Sequence, residues 1–262
     1  PMVASQGEPD PPYPGSMAAG LLVLNGGDEF KPGNEPQDRE LVAARGPGPG
    51  YVLPTAAARG GPEQAVRNAR RWFAGLGLDL EELPILTRRD AQQPALAERA
   101  RSGGLFYLVG GDPGHVVTAL QGSAVWAAIV DAWAGGAALA GSSAGAMALC
   151  QWSLVMARWP KHDIRRAKPA LGLVPGVTLL PHFDTFGHRW AESEIVDRPE
   201  PLLFLGPDER SAAVWSPTSG WRALGQGGVA AGPPGSLRRF AAGEAVLGLP
   251  APSAEHARRQ PA

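Results

Sequence analysis

Apolar residues cluster along the chain in short runs of strand length, at Gly20–Leu24, Tyr51–Pro54, Leu83–Leu86, Leu105–Val109, Ala137–Ala140, Val177–Leu180 and Leu202–Leu205. Helix-like stretches separate several of them, among them Gly61–Leu76, Ala95–Arg101 and Ser123–Ala134. A run that is apolar at nearly every position has both faces buried, which is the pattern of a parallel strand covered by helices on two sides. After about Glu209 the texture changes to shorter stretches, Ala212–Trp215, Arg222–Leu224, Val229–Ala231 and Ala245–Leu247, set between Gly, Pro and Ser turns. These predict antiparallel hairpins. The expectation is one α/β domain over residues 19–250, with a mostly parallel sheet between helices and a β-rich C-terminal end. Residues 1–18 are dense in proline and are expected to form a disordered lead, and residues 251–262 a loose polar tail.

Composition narrows the classes of function. The chain of 262 residues is 44% hydrophobic and 19% charged, the balance of a folded globular protein. Its 24 basic and 25 acidic side chains leave a net charge of −1. No basic excess is available to hold a phosphate backbone, so a nucleic-acid partner is not expected. No apolar run approaches the roughly 18 residues that a membrane-spanning helix needs. The single cysteine, Cys150, cannot form an internal disulfide or build a cysteine-based zinc site, and its apolar neighbours mark it as a core thiol on the helix after Ser143.

Ligands of parallel sheets bind beyond the carboxyl ends of the strands, and three such edges carry unusual residues. In Ala138–Leu149 an apolar strand runs into Gly141-Ser142-Ser143-Ala144-Gly145 and then an Ala/Met-rich helix. This is the G-x-S-x-G pattern of a nucleophile elbow, where small residues let backbone approach backbone and a sharp turn lifts the serine hydroxyl above the sheet. The alternative is a small-residue turn whose serines cap the helix. A second edge, Leu105–Gly114, places Gly110 and Gly111 directly after a buried strand, where a backbone amide can approach an oxyanion. The third, Val177–Asp184, puts His182 just beyond an apolar run, the best-placed general base of the five histidines. A carboxylate normally orients such a histidine, and Asp184, Asp208 and Glu209 are the candidates. Glu209 is preferred and Asp184 held in reserve, because Asp184 is only two residues from the ring it would have to orient. One string is a decoy. Gly26-Gly27-Asp28-Glu29-Phe30 reads as the signature of diguanylate cyclases, yet only a proline-rich lead and one strand precede it. It reads instead as a glycine-rich loop after the first strand.

Taken together, these segments resemble the serine peptidase family that contains dipeptidase E (aspartyl dipeptidase) and cyanophycinase. LLVLNGG is similar to its first strand and glycine turn, YVLPTAAA to its second strand, and LFYLVGGDP to its strand-then-GGD element. GSSAGA is similar to its nucleophile motif, GLVPGVTLLPHFD to its histidine segment and LGPDERSAAVW to its glutamate-bearing strand. The resemblance runs from about Leu21 to Val229. It implies a three-layer fold like class I glutamine amidotransferases (flavodoxin-like), with Ser143 as nucleophile, His182 as base, Glu209 as orienting acid, and the amides of Gly111 and Ala144 as oxyanion donors. The order Ser, His, Glu differs from that of α/β-hydrolases and argues against an esterase of that kind. Asp112 and Arg189 are the substrate-binding candidates. Two departures bear on substrate: Pro113 follows Asp112, and only Arg189, with His188 beside it, is left of the arginine-rich run that cyanophycinases carry after the histidine. A many-aspartate polymer is therefore not expected, and a small peptide with an acidic N-terminal residue is left open; the alternative for Arg189 is that it starts a helix, RWAESEIV, and pairs with solvent or with Glu192. The resemblance implies a cytoplasmic serine hydrolase with no metal or organic cofactor and a small peptide as its partner, homodimerisation being left open. A catalytically silent binding or scaffold protein of the same fold is the alternative; it would leave Ser143 sealed or His182 turned away from it.

Overall fold

A computed structural model describes residues 18–158 and 161–260; most of the expected lead and residues 261–262 of the tail lie outside them. The strands are β1 (Leu22–Asn25), β2 (Gly50–Leu53), β3 (Leu80–Glu82), β4 (Leu105–Leu108), β5 (Ala138–Ser142), β6 (Cys150–Arg158), β7 (Lys161–Pro169), β8 (Val174–Leu179), β9 (Glu194–Val196), β10 (Leu203–Pro207), β11 (Ser211–Ser216), β12 (Gly220–Gly225), β13 (Gly228–Gly232) and β14 (Arg238–Ala241). The helices are α1 (Glu35–Ala43), α2 (Pro62–Gly75), α3 (Arg88–Ala91), α4 (Pro94–Arg101), α5 (Pro113–Leu120), α6 (Ala124–Ala134), α7 (Ala144–Leu149), α8 (His188–Ala191) and α9 (Ala254–Arg258).

The described residues form a mixed α/β fold with two seven-stranded sheets, not the single sheet expected. The first has the order β12-β11-β1-β5-β4-β2-β3, and the second β14-β13-β10-β8-β6-β7-β9. In the first sheet β1, β5, β4, β2 and β3 run parallel, and β11 and β12 close one edge in antiparallel fashion. Every residue of β1, β2, β4 and β5 is buried, as the continuous apolar runs require. The second sheet is built around the β6–β7 hairpin, which the apolar pattern did not predict: β7 reads KHDIRRAKP and carries almost no apolar surface. β7 pairs with β9 and β6 with β8, so that β8, β9, β10, β13 and β14 join the second sheet while β11 and β12 return to the first.

Three further expectations change. The strand expected at Leu83–Leu86 lies earlier, as β3, and Leu83 and Ile85 are buried in the connection that follows it. Ala245 makes a lone bridge to Arg222, and the last strand is β14, where Phe240 pairs with Val229. The tail is not loose throughout: Ser253 accepts a hydrogen bond from the His256 amide to start α9, Ala257 is buried, and Arg258 pairs with Asp131 on α6. Among the described residues no single helix is long and apolar enough to cross a membrane; α5 and α6 meet that measure only together, and they bend by 94°.

The two sheets meet at the ends that matter. β1, β5 and β4 are neighbours, with Asn25 opposite Ser142 and Gly141 opposite Leu108, so the loops after them emerge side by side. In the second sheet β8 and β10 are parallel neighbours, Leu179 opposite Leu205. The chain then crosses from β10 back to the first sheet as β11 within Asp208–Arg210. Helix α7 links β5 to β6, and all six of its residues are buried.

Candidate active site

Ser143 stands at the turn from β5 into α7 with φ 47° and ψ −109°. That region is sparsely populated for a residue with a side chain and costs of the order of 1–3 kcal/mol. The surroundings enforce it. The Ser143 amide donates to the Asn25 carbonyl at 3.0 Å, and the Met147 amide donates to the Ser143 carbonyl at 2.8 Å. The flanking glycines are needed for space: a Cβ on Gly141 would lie 2.6 Å from the Ala146 nitrogen, and one on Gly145 2.4 Å from the Leu108 carbonyl oxygen. Ser143 remains partly exposed while its neighbours in α7 are buried.

His182 follows β8 and also has left-handed backbone, φ 49° and ψ 50°. Its amide donates to the Gly26 carbonyl at 2.8 Å, and its carbonyl accepts from the amides of Thr185, Phe186 and Gly187 in a π-helical turn over Phe183–Gly187. Such turns recur at functional sites. The turn lays the Phe186 ring on the imidazole, centroids 5.0 Å apart and planes 24° from parallel. The imidazole Nε2 lies 3.2 Å from Ser143 Oγ, and Nδ1 lies 2.7 Å from Glu209 Oε1. With Nδ1–H donating to the carboxylate, Nε2 is left as acceptor for the serine hydroxyl.

The other carboxylates are occupied differently. Asp184, the reserve acid, accepts the Glu209 backbone amide at 3.0 Å, so it holds the acid's main chain and not the imidazole. Asp208 is buried, accepts from the Gly228 amide at 2.8 Å and pairs with Arg239. Only Glu209 among these three reaches the ring.

Gly111 has φ 143°, and a Cβ there would lie 2.2 Å from the Ala56 carbonyl oxygen; only glycine suits that position. Neither its amide nor that of Ala144, the first residue of α7, has an acceptor among the described residues. Asp112 caps α5, accepting from the His115 amide at 3.0 Å, and Pro113 is the first helical residue, where a missing N–H is harmless. The departure at Pro113 is thus a helix start. Arg189 sits exposed on α8, a single turn followed by β9 and not the longer helix that RWAESEIV suggests. It lines a cavity of about 440 Å³ with Phe186, Trp190 and Arg165. Arg165 was missed by sequence reasoning because its strand was. Its guanidinium carbon lies 4.0 Å from the centroid of the Trp190 ring, and its Nε has no partner among the described residues. Cys150 is the first residue of β6 and not part of the helix; it is fully buried, and burial pushes its thiol pKa well up.

A crystal structure of a peptidase from an acI-B1 actinobacterium is similar, with a TM-score of 0.76 and 27% identity, over 88% of this chain and 98% of that one. A Listeria monocytogenes EGD-e structure, provisionally described as a peptidase E protein, shares the fold at a TM-score of 0.51 and 16% identity, covering 80% of this chain and 98% of that one. No curated protein matches the chain. The family model for Peptidase family S51 matches residues 22–206, so the chain belongs to peptidase family S51 and is a serine-type peptidase.

Proposed function

We propose that the protein hydrolyses a peptide bond in a small peptide through an acyl-enzyme on Ser143. The observation that carries this reading is the continuous contact from Ser143 through His182 to Glu209. Glu209 holds the imidazole by Nδ1–H, so Nε2 takes the Ser143 proton as Oγ attacks the carbonyl carbon. The carbonyl oxygen becomes an oxyanion facing the amides of Gly111 and Ala144. His182 then passes its proton to the leaving amine, the C–N bond breaks, and the acyl group stays on Ser143. A water attacks by the same base catalysis and releases the acid. No metal or cofactor enters this sequence.

An acidic N-terminal residue is the preferred substrate feature. Arg189 and Arg165 line one cavity beside Phe186, together with Asp163 and Glu192, and a guanidinium binds a carboxylate through parallel hydrogen bonds. The test is a panel of X-Leu dipeptides with X acidic, basic or neutral, run on wild type, Arg189→Ala and Ser143→Ala. Ser143→Ala should abolish turnover without a large loss of stability, and Arg189→Ala should lose rate selectively on acidic X. Equal rates on all three classes would end the specificity reading, and a fully active Ser143→Ala would end the mechanism.

A further inference from the structure

The Gly26–Phe30 string, a plain glycine-rich loop by its sequence, touches every segment of the candidate site. The Gly26 carbonyl accepts the His182 amide, and the Gly27 carbonyl accepts the Arg210 amide at 3.0 Å. Asp28 receives Arg210 Nε at 2.7 Å and also pairs with Lys31. Burial pushes the Asp28 carboxyl up, but the hydrogen bonds from Lys31 and Arg210 outweigh it and hold the pKa below its usual value. Phe30 packs against Tyr107 and Phe73.

Glu29 makes the contacts that reach farthest. Its Oε2 accepts the Ser142 hydroxyl at 2.9 Å, and its Oε1 accepts the Gly110 amide at 2.9 Å. One carboxylate thus clamps the residue before Ser143 and the residue before Gly111, joining the loops that leave β5 and β4. We propose that Glu29 is a positioning residue that fixes the spacing between the nucleophile turn and the Gly110–Gly111 loop, so that the Gly111 amide faces the oxyanion formed on a carbonyl attacked by Ser143. This rests on the mechanism proposed above. A negative charge placed so near a developing oxyanion opposes it electrostatically, so the benefit of Glu29 is geometric. Gly111 cannot be held by a side chain of its own and has backbone that only glycine adopts, so a clamp on its neighbour is the available means. Asp28 does the corresponding work on the other side, tying Arg210, next to Glu209, to the same loop.

The experiment uses the full chain and a fluorophosphonate probe, with the maximal rate of labelling at Ser143 separated from probe affinity by varying its concentration, and with amide hydrogen exchange of Gly110–Asp112 measured in parallel. Glu29→Gln keeps the shape but presents an NH2 to one of the two donors. It should lower the maximal labelling rate by about 10- to 100-fold, leave probe affinity within about threefold, and speed exchange at Gly110. Ser142→Ala removes one arm of the clamp, should fall in between, and serves if Glu29→Gln does not fold. A folded Glu29→Gln labelled within twofold of wild type, or one that changes affinity alone, overturns the proposal. Should wild type itself resist labelling, the proposed mechanism fails separately, and unchanged exchange at Gly110 in Glu29→Gln would still refute the clamp.

Discussion

Replacing Gly27 by alanine puts a methyl group into the imidazole of His182. An ideal Cβ there lies 2.3 Å from Cε1, 2.4 Å from Nε2 and 2.9 Å from Nδ1, against an ordinary contact of 3.4 Å or more. The ring must therefore retreat by about 1 Å. It has little room to do so, since Glu209 holds Nδ1 at 2.7 Å and Phe186 stacks on its face. The 3.2 Å contact from Nε2 to Ser143 Oγ is the weakest restraint, and it is the one that opens. A misplacement of this size costs on the order of a hundredfold in rate. Gly27 also has φ 132°, so alanine adds backbone strain of about 1–2 kcal/mol and should lower the thermal midpoint by a few degrees. The assay is kcat on an aminoacyl nitroanilide, with Gly75→Ala as control because its Cβ meets open space. A folded Gly27→Ala within threefold of wild type would refute the placement of His182 over this loop.

Three other outcomes follow from the same geometry. Asp38 is fully buried, accepts Trp72 Nε1 at 2.8 Å, and is pushed by burial to a pKa of about 7. The raised value means the folded state keeps a proton that the unfolded chain gives up, so this contribution to stability is complete below about pH 4 and is lost as pH rises to 7. Asp38→Asn should therefore gain about 2–3 kcal/mol relative to wild type between pH 5 and pH 8 in denaturant titrations, and parallel curves would contradict it. Asp184→Ala frees the Glu209 amide and should lower kcat about tenfold with KM little changed; a KM effect alone would place Asp184 on substrate instead. Cys150 should resist a disulfide reagent in the folded protein and react once guanidinium unfolds it, whereas fast labelling of the native state would show that β6 opens.

How far the sequence reveals this arrangement depends on whether a feature is local. The strands β1, β2, β4 and β5 are legible because burial on both faces demands unbroken apolar runs. The turn at Ser143 is legible because Gly141 and Gly145 are forced by backbone contacts within and beside it. The second sheet is not, because β7 alternates charged residues and is held by its partners β6 and β9. Helix α9 is equally hidden: Ala257 is its only buried residue, and its anchor, Asp131, lies far away in sequence. The sequence favours Glu209 over Asp184, which is too close in the chain to the ring, and the crossing from β10 to β11 is what brings Glu209 to the imidazole. No such preference marks Glu29, whose two partners, at the end of β5 and just after β4, share no sequence pattern with it.

Nucleophilicity at Ser143 is the central claim, and covalent labelling with a fluorophosphonate followed by peptide mapping tests it most directly. The geometry predicts one adduct, on Ser143, absent from Ser143→Ala and formed far more slowly in His182→Ala. An adduct on any other residue, or none on a folded wild-type protein, would contradict it.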